Sequence, residues 1–317
     1  MSARDKFREN FKKAKENVLL AQYSSLGVGG EADFLFVANS VNELVEAVVA
    51  AKKSGLAYKV IGFGTNIIVS DAGFRGLVII NRTSALNIDA SLGKVIAESG
   101  VSLSKMILEA AAAGLGGLEP LYGIPGTVGG AISVNAGAHG VSIGDYLRNS
   151  SVLISADKIL PVKRDWFKFS YRKSRLKYSH LNSPPVVFNA IFQLQRRKGE
   201  DILDDIGRFK KERQERQPIG QRTCGSIFRN PTGSDRLKSE DDKFRTAGYL
   251  LDTAGAKQFS SGAARVSKVH ANWIINRGNA SAKDIRGLIE KMRNAVEEKY
   301  SLTLLEEVEY LGDWKNG

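Results

Sequence analysis

The sequence predicts an α+β fold. Helix-period and strand-period segments alternate without a regular βαβ rhythm, which argues against a doubly wound parallel sheet. The 317 residues are long for one domain and comfortable for two or three. With 43% hydrophobic and 25% charged residues the composition is that of an ordinary globular chain, so disorder as the main state is excluded.

The elements follow in order. Met1–Asn17 is a mixed-charge amphipathic stretch, and the apolar run after it, Val18–Ala21, is too short for a signal-peptide core. No apolar run approaches the length of a bilayer span, so a reducing cytoplasm is the expected compartment. Val41, Leu44, Val45 and Val48 carry helical spacing over Val41–Ser54, with Ser40 to cap and Gly55 to stop. Strands are predicted at Tyr58–Ile61, Ile67–Val69 and Leu77–Ile80, with shorter ones at Leu86–Ile88 and Val95–Ala97. Ser102–Ala113 reads as a helix ending at Gly114, and Ser151–Ile154 and Val186–Leu194 read as strands. Asp201–Gln217 is a charged amphipathic helix on Ile202, Ile206 and Phe209. Phe244–Ala254 reads as a short helix, Trp273–Ile275 as a strand and Glu307–Leu311 as the closing strand. Ser281–Tyr300 is a helix with a capping-box spacing at Ser281 and Asp284 and an apolar face of Ile285, Leu288, Ile289, Met292 and Val296. The polar stretch Gln195–Asp201 suggests a domain boundary, leaving a final domain of about 120 residues.

Charge and glycine are the two compositional oddities. The 46 Lys and Arg against 34 Asp and Glu give a formal net charge of +12, which suggests an anionic partner. Residues 163–177 hold seven bases and one acid, interleaved with Trp166, Phe167, Phe169, Tyr171 and Tyr178 beside them. Residues 208–222 hold six bases and two acids. Such runs fit a solvated face, a stacking surface for nucleic acid, or a site for a phosphate-bearing small molecule. One Cys, Cys224, excludes a disulfide framework and any Cys-based metal site, though as a free thiol it is a candidate for oxidation. His139, His180 and His270 are too far apart in sequence to suggest a metal site.

Nine of the 32 glycines fall within residues 114–140, interleaved with Leu, Ile and Val rather than Ser. That is a packed loop around a ligand, not a linker, and a pyrophosphate bound by backbone N–H groups is its natural occupant. Gly62-Phe63-Gly64-Thr65-Asn66 follows a strand and precedes another. It lacks the third glycine and the helix of a Rossmann fingerprint, and is either a tight turn or a phosphate-facing loop. No P-loop sequence occurs.

Five motifs in order carry a family resemblance: Gly62–Asn66; Gly123–Gly130 with Asn135-Ala136-Gly137-Ala138; Tyr171-Arg172-Lys173-Ser174; Gly225-Ser226-Ile227-Phe228-Arg229-Asn230-Pro231; and Glu307-Val308. Together, from Ser25 to Gly312, they resemble the UDP-N-acetylenolpyruvoylglucosamine reductases. The resemblance implies a two-lobed FAD-binding domain of the vanillyl-alcohol-oxidase type and a smaller α+β substrate-binding domain. Residues 1–24 would be an N-terminal extension, 25–197 the FAD-binding domain with lobes of about 25–82 and 83–197, and 198–317 the substrate-binding domain. The short connection from Val186–Leu194 to the next helix points to the subtype without a tyrosine-bearing loop.

The activity implied is the reduction, with non-covalent FAD and NADPH, of the enolpyruvyl ether of UDP-N-acetylglucosamine to UDP-N-acetylmuramate in peptidoglycan precursor synthesis. The partners implied are the UDP-sugar and NADPH, with no nucleic acid, membrane insertion or metal. The glycine loops would hold FAD through Gly62, Gly64, Thr65, Asn66, Gly123, Ile124, Pro125, Gly126, Thr127, Gly129, Gly130, Asn135 and Gly137. Arg172 would hold the substrate carboxylate as enolate charge builds, Ser226 would donate a proton and Glu307 would assist it. Asn230, Arg229, Lys257 and His270 would contact the substrate. Arg229 stands where the family usually has Lys, Glu309 where it often has Arg, and Ala263 and Arg265 depart from its Gly-Gly-Ala-Gln pattern. Two other readings are an oxidase on the same flavin scaffold, marked by oxygen uptake with an alcohol, and a basic nucleic-acid-binding module built on residues 163–222, marked by salt-sensitive binding. The second leaves the glycine loops and the Ser226 and Glu307 motifs without a role.

Overall fold

The structure, a computed structural model, describes residues 1–154, 158–177, 184–232 and 246–314. Tyr178, His180 and Phe244, used in the sequence reading, lie outside these residues. In chain order the chain forms α1 (Ala3–Asn10), β1 (Lys15–Leu19), β2 (Glu31–Ala38), α2 (Val41–Ser54), β3 (Tyr58–Ile61), β4 (Ile67–Val69), β5 (Phe74–Asn81), β6 (Leu86–Asp89) and β7 (Lys94–Glu98). The glycine-rich middle holds α3 (Leu103–Ala112), β8 (Leu115–Gly116), α4 (Val128–Val134), β9 (Gly137–Ala138), β10 (Val141–Ser142) and α5 (Ile143–Tyr146). Then come β11 (Leu147–Leu153), β12 (Ile159–Lys163), β13 (Val186–Gln193), β14 (Gln195–Arg196) and α6 (Gly199–Arg216). The chain closes with α7 (Ala247–Thr253), β15 (Ser260–Ser261), β16 (Ala264–Val266), β17 (Ile274–Asn276), α8 (Ala282–Tyr300) and β18 (Glu309–Leu311).

Contacts divide the chain into two compact units. The first comprises residues 1–17, 33–63 and 76–213, and the second residues 18–32, 64–75 and 214–317. Each unit gathers separated stretches of chain, whereas the sequence reading ran its domains as contiguous segments.

The first unit has two cores. In one, α2 lays Leu44, Ala47, Val48 and Ala51 among Phe7, Phe11, Phe34 and Phe36. The rings meet edge-on, Phe7 with Phe34 at 4.9 Å and Phe11 with Phe36 at 5.0 Å between centroids. Ser40 caps α2 by accepting the Glu43 N–H, and Gly55 ends it at φ 69°. In the other, an antiparallel five-stranded sheet of order β12-β11-β13-β7-β6 supports α3, α4 and the Ile202 and Ile206 face of α6.

The second unit is built on α8. Its Ile285, Leu288, Ile289, Met292 and Val296 are fully buried, each worth about 1.5–3 kcal/mol of transfer free energy. The Ser281–Asp284 capping box is formed as the spacing predicts. Asp71 adds a second cap, accepting the Ala282 and Lys283 N–H groups at 2.9 and 3.0 Å. The short sheet β15-β16-β17 and the parallel pair β18-β4 complete this core with α7.

Several features differ from the sequence reading, these four among them. β2 is a buried strand in an unassigned segment. Its apolar residues run continuously, so no period marks it. The glycine segment after Thr127 is helix α4 rather than loop. The Thr127 hydroxyl accepts the Gly130 N–H at 3.3 Å, and Asn135 ends the helix in the left-handed region at φ 46°. Residues Ala3–Asn10 fold as α1, capped by Ser2. The last strand begins at Glu309, because Glu307 pairs instead with the segment that carries Ser226.

Candidate active site

In the first unit the two glycine motifs meet. A Cβ on Gly62 would come within 2.5 Å of Thr127 Oγ1, and one on Gly129 within 2.9 Å of Ser99 Cβ. These glycines are therefore required by contact between the loops themselves. Leu103 N–H donates to Gly126 O at 3.0 Å, and Val128 N–H to Val101 O at 2.8 Å, fixing the loop from below. Ile124 N–H turns back to Leu121 O at 3.1 Å. Gly123, Pro125 and Gly130 are exposed, with φ of 80° at Gly123 and 152° at Gly126. The outer face of the loop is backbone with little side chain over it, a surface that fits the diphosphate of a dinucleotide such as FAD.

Asn135, 7% exposed, ties that loop to the arginine motif. Its Nδ2 donates to Ser170 O at 3.0 Å and its Oδ1 accepts the Gly144 N–H at 3.1 Å. Ser170 and Lys173 exchange two backbone hydrogen bonds of 3.1 Å, making Tyr171-Arg172 the tip of a tight turn. Ser174 donates to Ser133 O of α4 at 2.5 Å. Arg172 itself sits at φ 55°, a strained conformation for an arginine. Its guanidinium lies over the Tyr171 ring at 5.5 Å, and a Cβ on Gly137 would stand 3.4 Å from its Nη1. The structure thus brings Gly62, Thr127, Gly129, Asn135, Gly137 and Arg172 into one connected set of loops.

In the second unit Ser226 and Glu307 lie on paired segments. Gly225 at φ 83° turns the chain so that Ser226 bridges Trp273 and Phe228 bridges Glu306. Glu307 N–H donates to Ile227 O at 2.8 Å, and Arg229 N–H to Leu305 O at 3.0 Å. Asn66 joins them: its Nδ2 donates to Glu307 O at 3.3 Å and its carbonyl accepts the Glu309 N–H at 3.0 Å. Gly64, at φ 66°, packs against the Tyr23 carbonyl, and Thr65 O would lie 3.9 Å from a Cβ on Gly225. Of the three neighbouring carboxylates, Glu306 is ion-paired with Arg293.

The four expected substrate residues are more dispersed. Asn230 is exposed and its Oδ1 accepts the Ala247 N–H at 3.0 Å, so its amide also caps α7. Lys257 is ion-paired to Asp252 at 2.7 Å. His270 Nδ1 accepts the Asn272 N–H at 3.2 Å, so the neutral ring carries its proton on Nε2. Burial, and then the Lys257 charge, hold its pKa below the usual imidazole value, so the ring is neutral at pH 7.

Sequence reasoning missed three supports. Asn272, 4% exposed, clamps the Ser226 segment: Oδ1 accepts the Phe228 N–H at 2.9 Å and Nδ2 donates to Phe228 O at 2.7 Å. Arg82 Nη1 donates to Gly62 O at 2.7 Å, with its guanidinium 5.4 Å from the Phe63 ring centroid. Glu119, 3% exposed, accepts the Gly117 N–H and pairs with Arg197 at 2.8 Å. A polar side chain amid short apolar segments was the only available signal for Asn272. Cys224, a candidate for oxidation as a free thiol, is 1% exposed, and burial pushes its thiol up to about 12, which makes it a poor one.

Among the described residues no cluster of metal-ligating side chains occurs, and no helix is long and apolar enough to cross a membrane. Residues 32–160 match an FAD binding domain family, and residues 217–311 match the C-terminal domain of UDP-N-acetylenolpyruvoylglucosamine reductase. The chain is 38% identical over 299 residues to the UDP-N-acetylenolpyruvoylglucosamine reductase of Carboxydothermus hydrogenoformans, covering 94% of each. It is 34% identical over 300 residues to that of Bacillus subtilis, covering 95% of this chain and 94% of the relative. The crystal structure of UDP-N-acetylenolpyruvylglucosamine reductase from Thermus caldophilus matches with a TM-score of 0.76 at 32% identity, covering 94% of this chain and 99% of that one. Likeness of this strength over nearly the whole length places the chain in the UDP-N-acetylenolpyruvoylglucosamine reductase family, as an FAD-dependent oxidoreductase.

Proposed function

We propose that the protein uses NADPH to reduce UDP-N-acetylglucosamine enolpyruvate to UDP-N-acetylmuramate, in the cytoplasm, for peptidoglycan precursor synthesis. The observation that supports this best is the Tyr171-Arg172-Lys173-Ser174 turn, which holds a strained arginine against Gly137 of the cofactor loops. Residues 25–197 act as the FAD-binding domain, residues 198–317 as the substrate domain, and residues 1–24 as an extension. Gly62, Gly64, Thr65, Asn66, Gly123–Thr127, Gly129, Gly130, Asn135 and Gly137 would hold FAD. When bound and reduced, that group supplies hydride to the terminal carbon of the enol ether.

The chain's own residues do the rest. Arg172 binds the substrate carboxylate and stabilises the enolate charge that develops there. Ser226 Oγ delivers a proton to the carbon alpha to that carboxylate, and Glu307 supports the donor. Arg229, Asn230 and Lys257 hold the UDP-sugar, with neutral His270 beside them. Ser226 is a weak acid, so its acidity depends on what surrounds Oγ.

The test is spectroscopic. Pure protein should be yellow, bleach with NADPH and regain colour on addition of the enolpyruvyl substrate. Bleaching without recovery of colour would refute the substrate assignment. In Ser226→Ala, NADPH should still bleach the flavin at the normal rate while recolouring slows by a factor of 10² or more. Equal loss of both half-reactions would remove Ser226 from the proton step.

A further inference from the structure

We propose that Arg213 is an anion-binding residue that holds a diphosphate against the Gly123 loop. Its place on α6 is the first clue. Ile202, Ile206 and Phe209 form the buried stripe of that helix, and Arg213 is the next position on the same stripe. An arginine there brings a fixed charge to an apolar face.

Its surroundings leave that charge poorly matched. Arg213 Nη2 donates to Pro120 O at 3.1 Å, while Nε is buried without a hydrogen-bond partner. The neighbouring carboxylate, Glu212, lies 3.6 Å from His139 Nε2. Among the described residues no carboxylate forms an ion pair with Arg213. Arg172 is close enough to repel it, and burial and that repulsion weaken its hold on its proton despite the attraction of Glu212. A desolvated guanidinium with an open donor beside a second cation is costly unless an anion completes it.

The form of the site selects the anion. A Cβ on Gly123 would stand 3.1 Å from Arg213 Cδ, so the side chain runs directly beneath the loop. Gly123 and Gly126 expose backbone there at φ of 80° and 152°. A guanidinium fork beneath exposed loop backbone suits a dianion with several acceptor oxygens. The diphosphate belongs either to FAD or to the UDP-sugar and NADPH. The FAD arm of the inference rests on the cofactor alone, and the UDP-sugar and NADPH arm rests also on the proposed reaction.

The experiment compares wild type with Arg213→Gln and Arg213→Lys as full-length holoenzymes. FAD release is followed by recovery of flavin fluorescence in the resting protein, without turnover, so it is read whether or not the proposed reaction holds. The expected result is at least a tenfold rise in the Kd for FAD in Arg213→Gln, with a smaller rise in Arg213→Lys. If FAD is retained but KM for the UDP-sugar or NADPH rises tenfold, the anion is the substrate's and the site stands. A structural arginine would instead make Arg213→Gln less stable, so Tm is measured on FAD-stripped full-length chains. A charge held ready for an anion predicts an unchanged or higher Tm in Arg213→Gln. FAD Kd and both KM values within twofold of wild type, or weaker FAD binding only alongside a lower Tm, would overturn the proposal.

Discussion

Arg172 occupies a backbone conformation that costs an ordinary side chain about 1–2 kcal/mol. The turn pins it there from both sides, through the Ser170–Lys173 pair and the Ser174 bond to α4. Strain held this firmly at the tip of a turn points to a job for the side chain. Arg172→Gly should therefore hold or raise Tm while lowering turnover by 10² or more, and a calorimetric scan beside a steady-state assay checks both. A variant that loses stability and activity together would show that the side chain is structural. Cys224 makes the opposite case. It is next to the Ser226 motif, yet its thiol is buried and pushed up to about 12, so thiolate is scarce and inaccessible. A thiol reagent should leave native protein unlabelled for hours and label one site in denaturant. Fast native labelling would contradict the packing around it.

At the scale of elements, the segments that carry Ser226 and Glu307 are held by short pairings rather than by a long sheet. Asn272 supplies both hydrogen bonds that fix Phe228, and Glu307 is held through its own N–H to Ile227 and its carbonyl to Asn66. Asn272→Ala would leave the buried N–H and C=O of Phe228 without those partners, at about 1–3 kcal/mol for each group. A fall of that size in unfolding free energy is expected, with a drop in kcat out of proportion to any change in FAD affinity, since the side chain's hydrogen bonds go to the segment that carries Ser226. Urea unfolding and flavin titration measure the two effects separately.

The same elements show what a sequence can and cannot reveal. α2 and α8 were legible nearly to the residue because a capping serine and an apolar period agree at each. α4 was not, since seven residues with two glycines carry no amphipathic stripe, and its start and stop are set by Thr127 and Asn135. The closing strand is expected from Glu307, but the partner of Glu307 is Ile227, about 80 residues away in sequence, and no local pattern encodes such a pairing. The glycine motifs were read as ligand cradles. At Gly62 and Gly129 packing also demands glycine, since Thr127 and Ser99 need the space, a contact invisible before folding.

Over the whole molecule, the +12 charge first suggested any anionic partner, and the basic residues now separate by environment. Arg8, Lys13 and Arg208 are exposed in surface ion pairs worth little to stability. Arg172 and Arg213 stand beside Gly137 and Gly123 of the glycine loops, where the proposed ligands would bring a phosphate or carboxylate to them. Charge of this kind should also make ligand association fall with added salt. His270 gives global stability a pH signature. His270 is held neutral in the folded chain by burial and by Lys257, so its folded pKa lies below the unfolded value of 6.5. Between those two values the unfolded chain binds more protons than the folded one, and stability therefore rises with pH. Its contribution is complete above pH 6.5 and is lost as pH falls through the folded pKa. His270→Gln keeps a polar side chain without a titrating ring. Its Tm should be less sensitive than wild type to acidification from pH 7.5 to 5.5, and parallel Tm-against-pH curves for the two proteins would show that His270 does not carry the effect.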